Sequence, residues 1–210
     1  MASRSYKAFR ELLDRKAFAE AAALAERNCL DGSSDSAFWH TQRAVALSLA
    51  GRFEQAVAAA DQALQREPGN AYALAARAGA CLGDDRAEEA LAGYEEALRS
   101  GDARILPRAR KGLLQSLSML KRWPQILGAL SEWNLPPETA YPWRIKALAG
   151  LDRRDEALDA CAELLRVSPD HPQALWQMAD LEISRDGLEA VRMKFARLAR
   201  IPTPPPRYSQ

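Results

Sequence analysis

Small residues recur along this chain at a nearly fixed interval. Ala56, Ala60 and Ala63 are spaced four and three apart, which places them on one face of a helix. Gly51-Arg52 ahead of them reads as a turn. Pro68 behind them stops the helix, because proline has no amide hydrogen and disfavours the helical conformation in the residue before it. Ala90, Tyr94 and Ala97 have the same spacing and begin 34 residues after Ala56. Ala157, Cys161 and Leu164 repeat it, and Pro169 falls 12 residues after Ala157 as Pro68 falls 12 after Ala56. Val191, Phe195 and Leu198 follow 34 residues after Ala157, and Ala21, Ala25 and Asn28 lead the Ala56 set by 35. A period near 34 marks an array of stacked units, none of which buries its apolar face alone.

The residues around these triplets complete the pattern. One unit carries Ala44, Leu47, Gly51, Phe53, Ala56, Ala60, Ala63 and Pro68. Another carries Ala78, Cys81, Ala90, Tyr94 and Ala97, and a third Ile145, Leu148, Ala157, Cys161, Leu164 and Pro169. In this the chain resembles the tetratricopeptide repeat family over most of residues 3 to 200. The resemblance implies an all-α, right-handed superhelix of about six antiparallel helix pairs, with small residues where the helices of a pair cross. It also implies a non-catalytic scaffold that binds proteins. The units are expected near 3–35, 37–70, 71–102, 103–137, 138–171 and 172–200, with 201–210 a proline-rich tail or linker. Inner turns are expected at Arg15-Lys16, Gly83-Asp84-Asp85, Asp152-Arg153 and Asp186-Gly187.

The fourth unit departs from the pattern. Its nearest triplet is Ile126, Leu130 and Trp133, which begins 36 residues after Ala90 and 31 before Ala157. Bulky side chains replace the small ones, so its helices cannot approach as closely. Trp123-Pro124 opens its second helix, and Asn134-Leu135-Pro136-Pro137 ends it early.

Charge and motifs exclude several classes. With 29 basic and 28 acidic residues among 210, the net charge is +1. General nucleic-acid and membrane-surface binders need a basic excess, so neither partner is expected. The first 18 residues hold no apolar run of a signal peptide, and no stretch approaches the ~20 apolar residues of a membrane span. A cytoplasmic chain is the simplest expectation. Cys29, Cys81 and Cys161 lack metal-ligand spacing and are expected as reduced packing residues. His40 and His171 have no cysteine or carboxylate at ligand spacing, so neither a metal nor a cofactor is expected. Phosphate-loop and nucleophile motifs are missing, so no catalytic residue is assigned.

Three constellations remain as binding candidates. Arg43, Arg77, Lys111 and Arg144 recur at steps of 34, 34 and 33 in the first helices of four pairs. Leucine is common at this place in the family, and some bacterial relatives carry arginine. Such a basic ladder would grip an acidic peptide or a phosphate through arginine forks. Alternatively it is paired internally: Asp61 and Glu95 recur at the same step and can satisfy Arg43 and Arg77, leaving Lys111 and Arg144 free.

The family's concave groove is lined by first helices. Here that implies Phe38, Thr41, Val45 and Ser48, then Tyr72, Ala75, Gly79 and Leu82, then Leu106, Ala109, Leu113 and Ser116. Lys146, Trp176 and Asp180 continue it. The lining is apolar and small and suits a partner's helix or extended segment. The alternative expectation is that Phe38, Tyr72 and Leu106 pack only on neighbouring helices. Trp123, Trp133, Tyr141 and Trp143 cluster at the irregular unit, either as a binding surface or as filling for the missing alanines.

The prolines of residues 201–210 favour an extended chain. That segment is either a linker into a larger enzyme, such as a transferase, or a cover for the last helix pair. Without such a cover, pairing of two copies end to end through the C-terminal end is a further expectation.

Overall fold

Alternating runs of helix-forming residues and short breaks give eleven helices among the described residues, which are 2–30 and 36–186 of a computed structural model. They are α1 (Ala2–Asp14), α2 (Phe18–Leu30), α3 (Ser36–Leu49), α4 (Phe53–Arg66), α5 (Ala71–Gly83) and α6 (Ala87–Arg99). Then follow α7 (Leu106–Met119), α8 (Trp123–Trp133), α9 (Pro137–Gly150), α10 (Arg154–Val167) and α11 (Pro172–Asp186). No strand occurs among the described residues, so the fold is all-α. Four of the expected pairs, α1–α2, α3–α4, α5–α6 and α9–α10, pack as pairs, and helices also stand at the places expected for the fourth pair and for the first helix of the sixth. The Val191 triplet, the turn at Gly187 and the 201–210 segment lie outside the described residues. No described helix is long and apolar enough to cross a membrane.

The chain divides into two compact units, Met1–Leu120 and Lys121–Gln210. The division falls inside the irregular fourth repeat, between α7 and α8.

In the first unit α2, α4 and α6 each pack against the helices before and after them in sequence. Helix α3 lies beside α5, and α5 beside α7, so the first helices of successive pairs form one face. The crossings are where the periodic small residues put them. Ala21, Ala25, Ala56, Ala60, Ala63, Ala90 and Ala97 have no solvent exposure, and Tyr94 has almost none. An alanine side chain loses no rotamer freedom when buried and keeps the two backbones close. In the second unit Ala157, Cys161 and Leu164 are equally enclosed between α9, α10 and α11. Helix α8 differs. Ile126 is its one fully enclosed residue, while Leu130 and Trp133 are half-buried.

Large side chains that cannot fit at a crossing find glycine instead. A Cβ on Gly83 of α5 would lie 2.3 Å from the Phe53 ring of α4. A Cβ on Gly112 of α7 would lie 2.1 Å from Tyr94 of α6, and one on Gly150 of α9 would lie 2.4 Å from Trp123 of α8. In each case an aromatic ring from a second helix rests on bare backbone of the following first helix. Gly83 is therefore a seat rather than the turn residue expected of it.

The turns within pairs share one geometry. Lys16, Gly51, Asp85, Lys121 and Asp152 have positive φ, from +54° to +74°. The next residue's amide then donates back five residues, as from Ala17 to Leu12, Arg52 to Leu47, Arg86 to Cys81 and Arg153 to Leu148, each at 2.9 Å. This closes the first helix with a left-handed cap. Between pairs, Asn70 accepts from the Tyr72 and Ala73 amides at 3.0 and 3.1 Å and caps α5.

Gly112→Ala should destabilise the protein by about 1–3 kcal/mol, because the Tyr94 ring has no room to move. In a Tyr94→Leu background, which lacks the ring's outer atoms, the same change should be neutral or stabilising, since alanine forms helix better by up to about 1 kcal/mol. Equal losses in both backgrounds, measured by urea denaturation, would disprove the contact as the cause.

Candidate functional site

The periodic arginines are largely absorbed by acids, in a register one step earlier than expected. Arg43 of α3 pairs with Glu26 of α2 at 2.8 Å. Asp61 is instead the partner of Arg77, at 2.7 Å from α4 to α5. Arg43 and Arg77 thus each reach back to the second helix of the preceding pair, and Arg77 also lies 4.0 Å from Glu89 of α6. Lys111 is exposed and makes no ion pair among the described residues. Arg144 is not free. Its guanidinium lies 3.9 Å from Glu163 of α10 and stands 6.0 Å over the Tyr141 ring. A hydrogen bond to that same Glu163 raises the Tyr141 phenol's pKa.

Arg77 also spans a cleft of about 490 Å³ walled by α4, α5 and α6. Asp61 lies on one wall, Glu89 at 4.0 Å on the other, and Leu64, Leu74 and Ala92 line it between. This hollow includes second helices, away from the row of first-helix positions proposed for a groove.

Those first-helix positions sort by depth. In the first unit Phe38 is 39% exposed, and Val45, Tyr72, Leu82 and Leu106 are half-buried. Thr41 and Leu113 sit beneath this face, and the Thr41 hydroxyl donates to the Ala37 carbonyl at 2.9 Å. Ser116 is likewise enclosed, donating to the Gly112 carbonyl at 3.0 Å. The face begins earlier than the sequence suggested. Tyr6 of α1 is 36% exposed and meets Phe38 edge-on, with centroids 5.5 Å apart. Beneath them Phe9 and Trp39 are fully packed, at 6.1 Å and near-perpendicular.

The other end of the face is basic. Arg104, Arg108 and Lys111 are spaced four and three apart. Arg104, just ahead of α7, lies 5.6 Å over the Tyr72 ring and is held by Asp102 at 2.9 Å. Arg108 makes no ion pair among the described residues. Its Nη2 lies 4.0 Å from where a Gly79 Cβ would be, and the Tyr94 hydroxyl lies 3.2 Å from the same point. Burial pushes the Tyr94 phenol's pKa up, so it stays a neutral donor, and the Arg108 charge opposes this only in part.

In the second unit Lys146 is half-buried with its ammonium 5.9 Å over the Trp143 ring, and desolvation lowers its pKa. Trp176 is half-buried on α11. Trp123 fills the space over Gly150, which accounts for one of the clustered aromatics by packing. The cysteine thiols are free, and burial pushes Cys161 up to about 12, with Glu182 adding to the rise. His171 accepts from the Ala174 amide at 3.3 Å, and burial lowers the pKa of His40.

No protein-family model and no curated protein matches the chain. Solved structures do. The chain is similar to a tetratricopeptide repeat protein from Parabacteroides merdae, at 14% identity over 96% of this chain and 80% of that one, with a TM-score of 0.73. It is also similar to YrrB, a TPR protein with an unusual peptide-binding site, at 21% identity over 83% and 90% of the two chains and a TM-score of 0.62. A third is a thermophilic TPR protein of Thermus thermophilus, at 21% identity over 76% and 90%, with a TM-score of 0.54. The fold is that of the tetratricopeptide repeat proteins.

The register of the ion pairs can be checked by a double-mutant cycle. Arg77→Gln with Asp61→Asn should give a coupling of about 0.2–1 kcal/mol, small because both side chains remain partly exposed. Arg43→Gln with Asp61→Asn should give none. Coupling in the second cycle and not the first would contradict the observed pairing.

Proposed function

We propose that this chain is a non-catalytic protein-interaction scaffold that holds a peptide or helix of a partner against the first-helix face of its first unit. One observation carries this. Tyr6, Phe38, Tyr72 and Leu106 are partly exposed along α1, α3, α5 and α7, and unpaired Arg108 and Lys111 stand beside them. Exposed aromatic side chains lose little entropy on binding and bury large areas, which suits them as anchors. The peptide-binding site of YrrB supports the use of such a fold for this purpose. Lys146 and Trp176 in the second unit are further candidate contacts. The near-zero net charge favours a protein partner over nucleic acid or a membrane surface.

Selection from a displayed random-peptide library on the whole chain tests the assignment. Enriched peptides should bind the parent and lose about tenfold or more in affinity to a Phe38→Ser/Tyr72→Ser/Leu106→Ser variant that retains its helical circular dichroism. Failure to enrich any peptide, or equal binding to the variant, would overturn it.

A further inference from the structure

The Tyr94 ring starts on α6, on the second-helix side of the first unit, and ends on the other side. It passes Gly112, whose Cβ would fall 2.1 Å from Cζ, and its hydroxyl arrives over Gly79, whose Cβ would fall 3.2 Å from Oη. Two helices thus leave out a side chain along the path of one phenol. Core packing explains Gly112, where the ring needs room. It does not explain why the hydroxyl comes out beside bare backbone on α5, where it makes no hydrogen bond among the described residues. Arg108 points to the same place, with Nη2 4.0 Å from the Gly79 Cβ position and no carboxylate paired to it. Its neighbour Arg104 is already neutralised by Asp102 and held over Tyr72, so it borders the spot without competing for it.

A neutral phenol donor and an unpaired guanidinium converge on space that no side chain fills. We propose that this is a subsite for a carboxylate of the docked peptide, a glutamate or aspartate side chain, with the Tyr94 hydroxyl donating to one oxygen and Arg108 pairing with the group. This rests on the peptide-binding role proposed above and gives the ligand a polarity. The aromatic pair Tyr6 and Phe38 lies at the α1–α3 end of the face, and the subsite lies between α5 and α7. Neighbouring helix axes are about 8–10 Å apart, so the two places are separated by roughly 16–20 Å. An extended chain covers that in about five or six residues. The ligand is therefore a short extended segment with a large apolar residue and, about five positions away, an acidic one.

The same displayed library, sorted on the whole protein and on four variants, tests this. The variants are Arg108→Gln, Tyr94→Phe, Gly79→Leu and Phe38→Ser, each with its melting temperature checked against the parent. The parent should enrich peptides with an acid about five positions from an aromatic or large aliphatic residue. A synthetic peptide from that pool should lose about tenfold in affinity when its acid becomes the amide. That loss should vanish in Arg108→Gln and shrink in Tyr94→Phe, which keeps the ring and drops only the hydroxyl. Gly79→Leu should abolish it by filling the space, while the apolar preference survives in all three. Enrichment that depends on Phe38 yet shows no acidic preference, or an acidic preference unchanged by Arg108→Gln, overturns the subsite and leaves the binding face standing. A stronger preference for phosphoserine than for glutamate at that position overturns the carboxylate assignment. No enrichment at all ends both proposals.

Discussion

Close approach of helix backbones at the periodic small residues is the constraint on which the other features depend. Ala56, Ala60 and Ala63, and then Ala90 and Ala97, are completely enclosed because nothing larger fits between the helices they join. Each buried methyl contributes on the order of 0.8 kcal/mol and costs no side-chain entropy, so many small contributions add without opposition from rotamer freezing. The price is that bulky residues must be seated elsewhere. Phe53, Tyr94 and Trp123 therefore rest on Gly83, Gly112 and Gly150 of the helices that follow. The proposed carboxylate subsite grows out of this arrangement, since it is the tip of one such seated ring that reaches Gly79 of α5.

The backbone repeats as faithfully as the packing. The left-handed cap residues Lys16, Gly51, Asp85, Lys121 and Asp152 are separated by 35, 34, 36 and 31 residues. Those steps reproduce the stretched and shortened period that the small-residue triplets show around the fourth repeat. Only one of the five is glycine, and at Lys16, Asp85 and Asp152 the closing hydrogen bond offsets the strain of about 1–2 kcal/mol that a left-handed conformation brings. The irregular repeat is also where the chain divides into its two units. Crossing residues that cannot pack closely leave α8 with a single enclosed side chain.

Much of the fold was legible because a two-helix unit repeats its own constraints. Turns, proline stops and enclosed triplets can each be found in several copies, and copies at a constant interval reinforce one another. The features that were missed need three-dimensional neighbours. Arg43 and Asp61 share a period with Arg77, yet the period alone does not say whether a side chain reaches forward or back, and the structure shows it reaching back to Glu26. Gly112 and Gly150 resemble ordinary helical glycines until the ring that occupies their place is known. Tyr6 was overlooked because the first repeat matches the pattern only in its second helix. Arg108 carries no periodic signal, since it stands off the step that picks out Lys111 on the same helix. Position in the repeat places Thr41 and Leu113 on the first-helix face, but both are buried beneath it.

Native-state hydrogen exchange read helix by helix tests most directly the claim that close crossings at small residues hold the fold. Amides of α4, α6 and α10, whose crossing residues are fully enclosed, should exchange slowest among the second helices. Those of α8, where Ile126 is the one enclosed residue and Leu130 and Trp133 are half-buried, should exchange well before them. Protection in α8 equal to that in α4 and α6 would contradict the account, because helix stability would then not follow the closeness of the crossing.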